Sequence, residues 1–415
     1  METIEPTRKI DDYILGPALG KGFLGHVRVA NKIGDTKKYA IKYIKLKNQN
    51  AKAALLQTLR QECLLKKFNH PNILHIYSAN ANGVYEKMRN NEIERTSVLY
   101  LVLQLARTGD LFDFITCSGG LSERIARLYF NQILAAVEYI HSIGVAHRDI
   151  KPENVLLDQN YNALITDFGF SKNLSELGFI TSNPVNRVGT ERCMSPELFA
   201  NKPHSPTKDD LFALGYLLFM LVARHPPFLL PTSTNEHYKL LMENRIKDYW
   251  SSIDALHPPF WCSDEFKHLV TIMLSADMTI RPSISEIKAH PWTSGELPTT
   301  TEVITEFERR QLLAIEYQKK EAQQRKLKKQ KQKESGANKS NPGNYLLNRG
   351  EKKPIERIVE PKKIIKKLGN PKDHKPTILM SQEDPNDIEA VLSSYFVTIG
   401  ETIVSEIDYK VLILY

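Results

Sequence analysis

Residues 147–154 read His-Arg-Asp-Ile-Lys-Pro-Glu-Asn and place a carboxylate, an amine and a carboxamide within one short stretch. That combination suits holding a hydroxyl beside a phosphate group and its metal ions. Asp149 can accept the proton of an attacking hydroxyl, and Lys151 can neutralise charge on a moving phosphoryl group. Asn154 can offer a carbonyl oxygen to Mg²⁺, a hard cation that prefers oxygen ligands. Pro152 would otherwise mark an ordinary polar surface turn, so the surrounding elements have to supply the rest of such a site.

The elements that must position these groups are legible upstream and downstream. Residues 13–45 read as alternating strands, and Gly20, Gly22 and Gly25 form G-x-G-x-x-G between two of them. In a dinucleotide-binding fold such glycines open a helix. Here His26-Val27-Arg28-Val29-Ala30 continues as a strand, so the glycines sit in a hairpin. Tyr39-Ala40-Ile41-Lys42 is the next strand, and a helix is expected over 51–68. Residues 73–78 and 98–105 read as strands, with the polar stretch 79–97 as an extended hairpin loop. The helix over 123–143 carries Ala126, Tyr129, Phe130, Ile133, Leu134 and Val137 at helical spacing, a core pattern rather than a cofactor site. The longest apolar run, 211–223, is too short to span a bilayer and reads as a helix buried all round.

HRDIKPEN resembles the catalytic loop of protein kinases, with the pattern H-R-D-x-x-x-x-N. The resemblance covers residues 13–292 and includes Tyr39-Ala40-Ile41-Lys42, similar to V-A-I-K, and Asp167-Phe168-Gly169. It extends through Ser195-Pro196-Glu197 and Asp209-Asp210-Leu211-Phe212-Ala213-Leu214-Gly215 to His290-Pro291-Trp292. The wording is similar to the calcium/calmodulin-dependent and AMP-activated kinase group. What it implies is an α+β bilobal fold, with a small β-rich N-lobe and a large helical C-lobe, and transfer of phosphate from ATP to Ser/Thr hydroxyls. Asp149, Lys151 and Lys42 would be catalytic, while Asn154 and Asp167 would hold Mg²⁺. Leu19, Gly20, Gly22, Gly25, Val27, Ala40, Lys42, Gln104, Ala106 and Leu156 would surround ATP, with Leu103 at the gatekeeper position. Asp110 caps a helix in the plain reading and lies near ribose and substrate in the family one. With Glu153, it would favour basic residues upstream of the acceptor. Arg148, Glu197, Asp210 and Arg281 would be structural, Arg281 pairing with Glu197.

The chain departs from this pattern at several points. The family interval from Lys42 puts Gln61 where a helix Glu should pair with it. Either Gln61 substitutes weakly, or the helix turns to bring in Glu62. Cys193 and Ser195 replace the usual residues before Pro196, and Phe212 replaces a Trp. Asn186 stands at the usual activating phosphosite, which leaves Thr181 and Ser182 as the nearby alternatives. The rival to an enzyme is a weakly active or catalytically dead kinase-fold scaffold, which Gln61 favours and the intact Lys42, Asp149, Asn154 and Asp167 oppose.

The 415 residues carry a formal net charge of +8, but the charge is unevenly placed. Residues 301–375 hold 21 Lys/Arg against 10 Asp/Glu, whereas the last forty hold one Lys and seven acids. The basic excess therefore belongs to a tail, and a specific nucleic-acid partner is not expected. Cys63, Cys117, Cys193 and Cys262 form no C-x-x-C pair, which fits a reducing compartment without disulfides or zinc. METIEPTRKIDDY has no apolar core of a signal peptide. The expected location is cytoplasmic, with the nucleus also open. Residues 302–334 read as one helix, and Val303, Ile304, Phe307, Leu312, Leu313 and Ile315 could dock on something. The expected organisation is a kinase domain over 13–292, a basic helix and flexible linker over 293–375, and a small α+β C-terminal element over 376–415. That last element is faintly similar to the kinase-associated domains of AMP-activated-type kinases. Protein substrates are expected, and the basic tail suits a partner or an anionic membrane surface.

Overall fold

Three short N-terminal residues close the first sheet on itself. In the computed structural model, which describes residues 8–22, 25–46, 68–89, 92–106, 108–177 and 188–334, β1 (Arg8–Ile10) pairs with β2 (Tyr13–Gly22) on one side. On its other side β1 pairs with β5 (Ile76–Arg89). β3 (Gly25–Lys32), β4 (Lys38–Lys45) and β6 (Glu92–Gln104) complete a closed barrel of order β1-β2-β3-β4-β6-β5. The stretch expected as a loop over 79–97 is therefore mostly strand. Its alternation explains why. Tyr85 turns inward and stacks on Tyr43 at 5.5 Å, while its neighbour Glu86 faces out and bonds Lys9 and Arg95 at 3.1 and 3.0 Å. Residue 73 also falls outside the expected strand, forming an isolated parallel bridge with Ile165.

The barrel interior is a small core of its own. Ile10, Tyr13, Leu15, Tyr85, Tyr100 and Val102 pack together there with their neighbours. Asp11, at φ 46°, ties the closure: its carboxylate accepts from Tyr100 Oη (2.8 Å), Asn80 Nδ2 (3.0 Å) and Val84 N (2.9 Å).

Below the barrel the chain is helical. α1 (Leu111–Ser118) and α2 (Glu123–Ser142) precede the short strands β7 (Val145–Ala146), β8 (Val155–Leu157), β9 (Ala163–Ile165) and β10 (Lys172–Asn173). They are followed by α3 (Leu174–Leu177), α4 (Pro196–Phe199), α5 (Pro206–Ala223), α6 (Glu236–Met242) and α7 (Ile246–Asp254). The last helices are α8 (Asp264–Met273), α9 (Ile284–Ala289) and α10 (Thr300–Glu334). α5 is the axis of this lobe: Asp209 through Ala223 are all buried, as expected of a run apolar on every face. No helix among the described residues is long and apolar enough to cross a membrane.

α10 docks on this helical lobe. Val303, Phe307, Arg310, Gln311 and Ala314 are its buried residues, at helical spacing, whereas Ile304, Leu312, Leu313 and Ile315 are half-buried. The expected seam was right for Val303 and Phe307 and missed the buried Arg310 and Gln311. The expectations for the helix over 51–67, for Thr181, Ser182 and Asn186, for the linker and for the C-terminal element fall outside the described residues.

Candidate active site

The catalytic loop is held from beneath by one carboxylate. Asp210, buried in the first turns of α5, accepts from the backbone N–H of His147 (2.9 Å) and of Arg148 (2.8 Å) and meets His141 Nε2 at 2.8 Å. Arg148 sits at φ 68°, a conformation that non-glycine residues adopt only when the surroundings enforce it. Burial would push the Asp210 carboxyl up, but the hydrogen bond and charge of His141, with His147 and the Arg148 N–H, hold it below the usual carboxylate range. The His147 ring is fully buried, and burial lowers its pKa. Its Nδ1 accepts from Asp149 N at 3.2 Å, so Nε2 carries the proton toward Thr166 O, also at 3.2 Å.

We expect Asp210→Asn to lower kcat. The amide offers one acceptor where the carboxylate offers two, so one backbone N–H loses its partner. A charge-assisted bond is worth about 1.5–3 kcal/mol, which corresponds to a roughly ten- to hundredfold loss if it all falls on the loop. Steady-state kinetics with melting as a fold control checks this, and an unchanged kcat would refute the anchoring role.

Asp149 is the hub of the site. Its Oδ2 accepts from Lys151 Nζ (2.6 Å) and Asn154 Nδ2 (2.9 Å), and its Oδ1 accepts from Thr190 N (2.9 Å) and Thr190 Oγ1 (2.8 Å). Lys151 also reaches Thr190 Oγ1 at 2.7 Å. Burial depresses the Lys151 ammonium, yet Asp149 and Glu153 outweigh it and raise the pKa, so the amine is a cation here. Asn154 spends its amide protons on Asp149, including the backbone carbonyl at 2.8 Å, which leaves its own oxygen for a ligand.

Across the cleft, Lys42 Nζ bonds Asp167 Oδ1 at 3.0 Å. Asp167 is left-handed, with φ 63° and ψ 65°. Burial acts to raise its pKa, but Lys42, Lys151 and His147 together hold the carboxyl below its ordinary value. Lys42, Ile76, Leu103, Thr166, Asp167 and Phe168 line a small cavity between the lobes. Leu19, Val27, Ala40, Ala106 and Leu156 are buried in the surrounding core. The glycine hairpin sits on the β2–β3 turn, with Gly20 opposite Val27 and Gly22 opposite Gly25. Gly25 has a sheet reason to be glycine: at φ 141°, an added Cβ would lie 2.3 Å from Tyr43 O. The donor set suits Mg²⁺, which binds through one or two carboxylates and completes its shell with water and substrate phosphates. Among the described residues no cluster of three or more His, Cys, Asp or Glu forms a full metal cage.

Two expected site residues behave differently. Asp110 is 1% exposed, and its Oδ1 accepts from Asp113 N at 2.8 Å, so it caps α1, the plainer of the two expectations for it. Glu153 is engaged by Arg192 of the activation segment. Gln61 and Glu62 lie outside the described residues. Arg281 is buried and donates to both oxygens of Glu197, at 2.5 and 2.6 Å. The sequence reading assigned no role to Thr190. It also missed Arg192, and the chain Ser195 Oγ to Asp209 Oδ1 and Asp209 Oδ2 to His204 Nδ1, both 2.5 Å. That chain gives Ser195 a buried partner where the family has a small apolar residue.

The Asp149 loop and the Asp167 carboxylate, set between a β-lobe and a helical lobe, form the arrangement of the protein kinase fold. The protein kinase domain family matches residues 13–293, and the chain belongs to that family. It is 33% identical over 281 residues to CBL-interacting protein kinase 11 of Oryza sativa subsp. japonica, covering 68% of this chain and 51% of that one. It is 32% identical over 292 residues to SNF1-related protein kinase catalytic subunit alpha KIN12 of Arabidopsis thaliana, covering 70% and 53%. To the SNF-related serine/threonine-protein kinase of Homo sapiens it is 33% identical over 291 residues, covering 69% and 34%. The matched part thus spans about half or less of these relatives.

Proposed function

We propose that this protein transfers the γ-phosphoryl group of ATP to Ser and Thr hydroxyls of proteins. The observation that carries the reading is the hub at Asp149, with Lys151, Asn154 and Thr190 all bonded to one carboxylate. Asp149 would receive the acceptor proton as the oxygen bonds the γ-phosphorus and the bond to the β-phosphate oxygen breaks. Lys151 would set positive charge beside the transferring group, and Lys42 would hold the phosphates from the other lobe. When bound by Asp167 and Asn154, Mg²⁺ would supply positive charge to the phosphate oxygens. Use of ATP fits an intracellular location.

Of the two carboxylates expected to face residues upstream of the acceptor, Asp110 caps α1 and Glu153 already bonds Arg192. The scaffold alternative rests on Gln61, and nothing in the described site favours it. A tail partner or anionic membrane surface remains a separate proposal, checked by vesicle binding of the full chain.

The test is a radiolabelled ATP assay on the full chain with Mg²⁺ and a mixed Ser/Thr peptide pool, beside Asp149→Asn. Phosphoserine or phosphothreonine should form with wild type only. Equal labelling by both proteins would overturn the reading.

A further inference from the structure

Asp149 and Glu153 both face the activation segment, and each already holds a partner there. Asp149 takes Thr190, and Glu153 takes the Arg192 guanidinium, two residues further along. The two strands of chain therefore run side by side with matched ties. Glu153 lies four residues beyond Asp149 in the same loop, so a peptide whose hydroxyl reaches Asp149 would have the Glu153–Arg192 pair beside it. In that pair the acid is the inner member: the Glu153 side chain is 14% exposed and that of Arg192 34%.

We propose that Arg192 is an internal occupant of the Glu153 subsite and the residue that sets acceptor selectivity. This rests on the transfer reading above and on Glu153 facing the peptide. A basic side chain of a substrate has to compete for Glu153 with Arg192, which already bonds one of its oxygens, is tethered beside it and is always charged. An acidic or neutral side chain meets the outer guanidinium and needs no displacement. The substrate class is thus Ser/Thr peptides with neutral or acidic residues upstream, with basic ones tolerated rather than selected.

The test measures rates on an arrayed Ser peptide library in which each upstream position is Arg, Ala or Glu. The enzymes are full-length wild type, Arg192→Ala, Arg192→Gln and Glu153→Gln. Selectivity is read as the Arg/Glu rate ratio within each enzyme, so a loss of folded fraction cancels. In wild type the ratio should stay near or below one. In both Arg192 variants it should rise at one position by roughly five- to thirtyfold, the factor expected for one charge-assisted bond. Glu153→Gln should show no such basic preference. If the Arg192 variants keep the wild-type ratio while Glu153→Gln changes it, Glu153 is a subsite and Arg192 does not occupy it. A wild type that already selects Arg strongly would also overturn the proposal. Absence of transfer by every enzyme would instead sink the transfer reading itself.

Discussion

Asp167→Asn is expected to lower kcat/KM by about 10³-fold or more, because the substitution removes the charge that bonds Lys42 and that would hold Mg²⁺ against the phosphates. Asn is the informative choice. Asp167 sits at φ 63°, a region where Asn is tolerated and Ala is strained, so the backbone cost is kept small. The amide keeps a hydrogen-bonding oxygen for Lys42, now at 3.0 Å from the carboxylate, but brings no charge. The pH behaviour follows the same carboxyl. Its folded pKa lies below 3.8, so its contribution to stability is present above the unfolded value and is lost only as pH falls through the folded one. At neutral pH the charge is fully present in wild type, and the variant should be inactive there rather than shifted in optimum. Steady-state kinetics at pH 7, with melting within a few degrees of wild type, checks this. Retention of a tenth of wild-type activity would remove Asp167 from the metal-site role.

The groups that the sequence made legible are those whose partners lie close by in the chain. Asp149, Lys151 and Asn154 announce themselves because their spacing is set by one loop. The buried helix over 211–223 was readable because an apolar run needs no partner to declare itself. The rest depended on contacts between distant residues. Strands β5 and β6 extend through a polar stretch because Tyr85 finds Tyr43 and residues 8–10 supply an edge strand. Alternation with a mostly polar outer face looks like a loop until that edge is known. Asp110 could be a cap or a substrate carboxylate on spacing alone, and the cap shows only in the bond it accepts from Asp113 N. Arg192 gives no local sign of meeting Glu153. Nor does Ser195, whose Asp209 and His204 partners belong to later elements.

Arg310 is the strongest case of that kind, and its removal should be the largest single loss of stability outside the site. The sequence shows an arginine in a highly charged helix, where a solvated side chain is the ordinary outcome. In the structure it is 2% exposed. Its Nε donates to Glu306 Oε1 at 2.8 Å. Its Nη1 donates to Ser118 Oγ (3.0 Å) and Gly119 O (2.5 Å), and Nη2 to Gly120 O (2.6 Å). Those acceptors lie at and just beyond the C-terminus of α1, where the helix dipole is negative and favours a cation. Gly120 itself lies close against α5, where a Cβ would stand 2.0 Å from Val222 O. Phe307, one turn earlier, packs against Phe114, Tyr129 and Tyr161 at 5.0, 5.3 and 5.2 Å. Arg310→Met keeps much of the stem and strands buried acceptors, so it should cost about 3–5 kcal/mol, the range for breaking a buried charged contact. For a domain of this size that is a fall in Tm of roughly 6–20 °C. The effect should also reach nucleotide binding. Asp110, the cap of α1, bridges Leu156 through its backbone, and Gly109 O accepts from Leu157 N at 2.9 Å, beside the Leu156 side chain that would lie against ATP. The KM for ATP should therefore rise more than kcat falls. Thermal melting and ATP titration of the full-length variant test both parts. A Tm within 2 °C of wild type would mean that α10 only rests on the lobe, and that the kinase unit is complete without it.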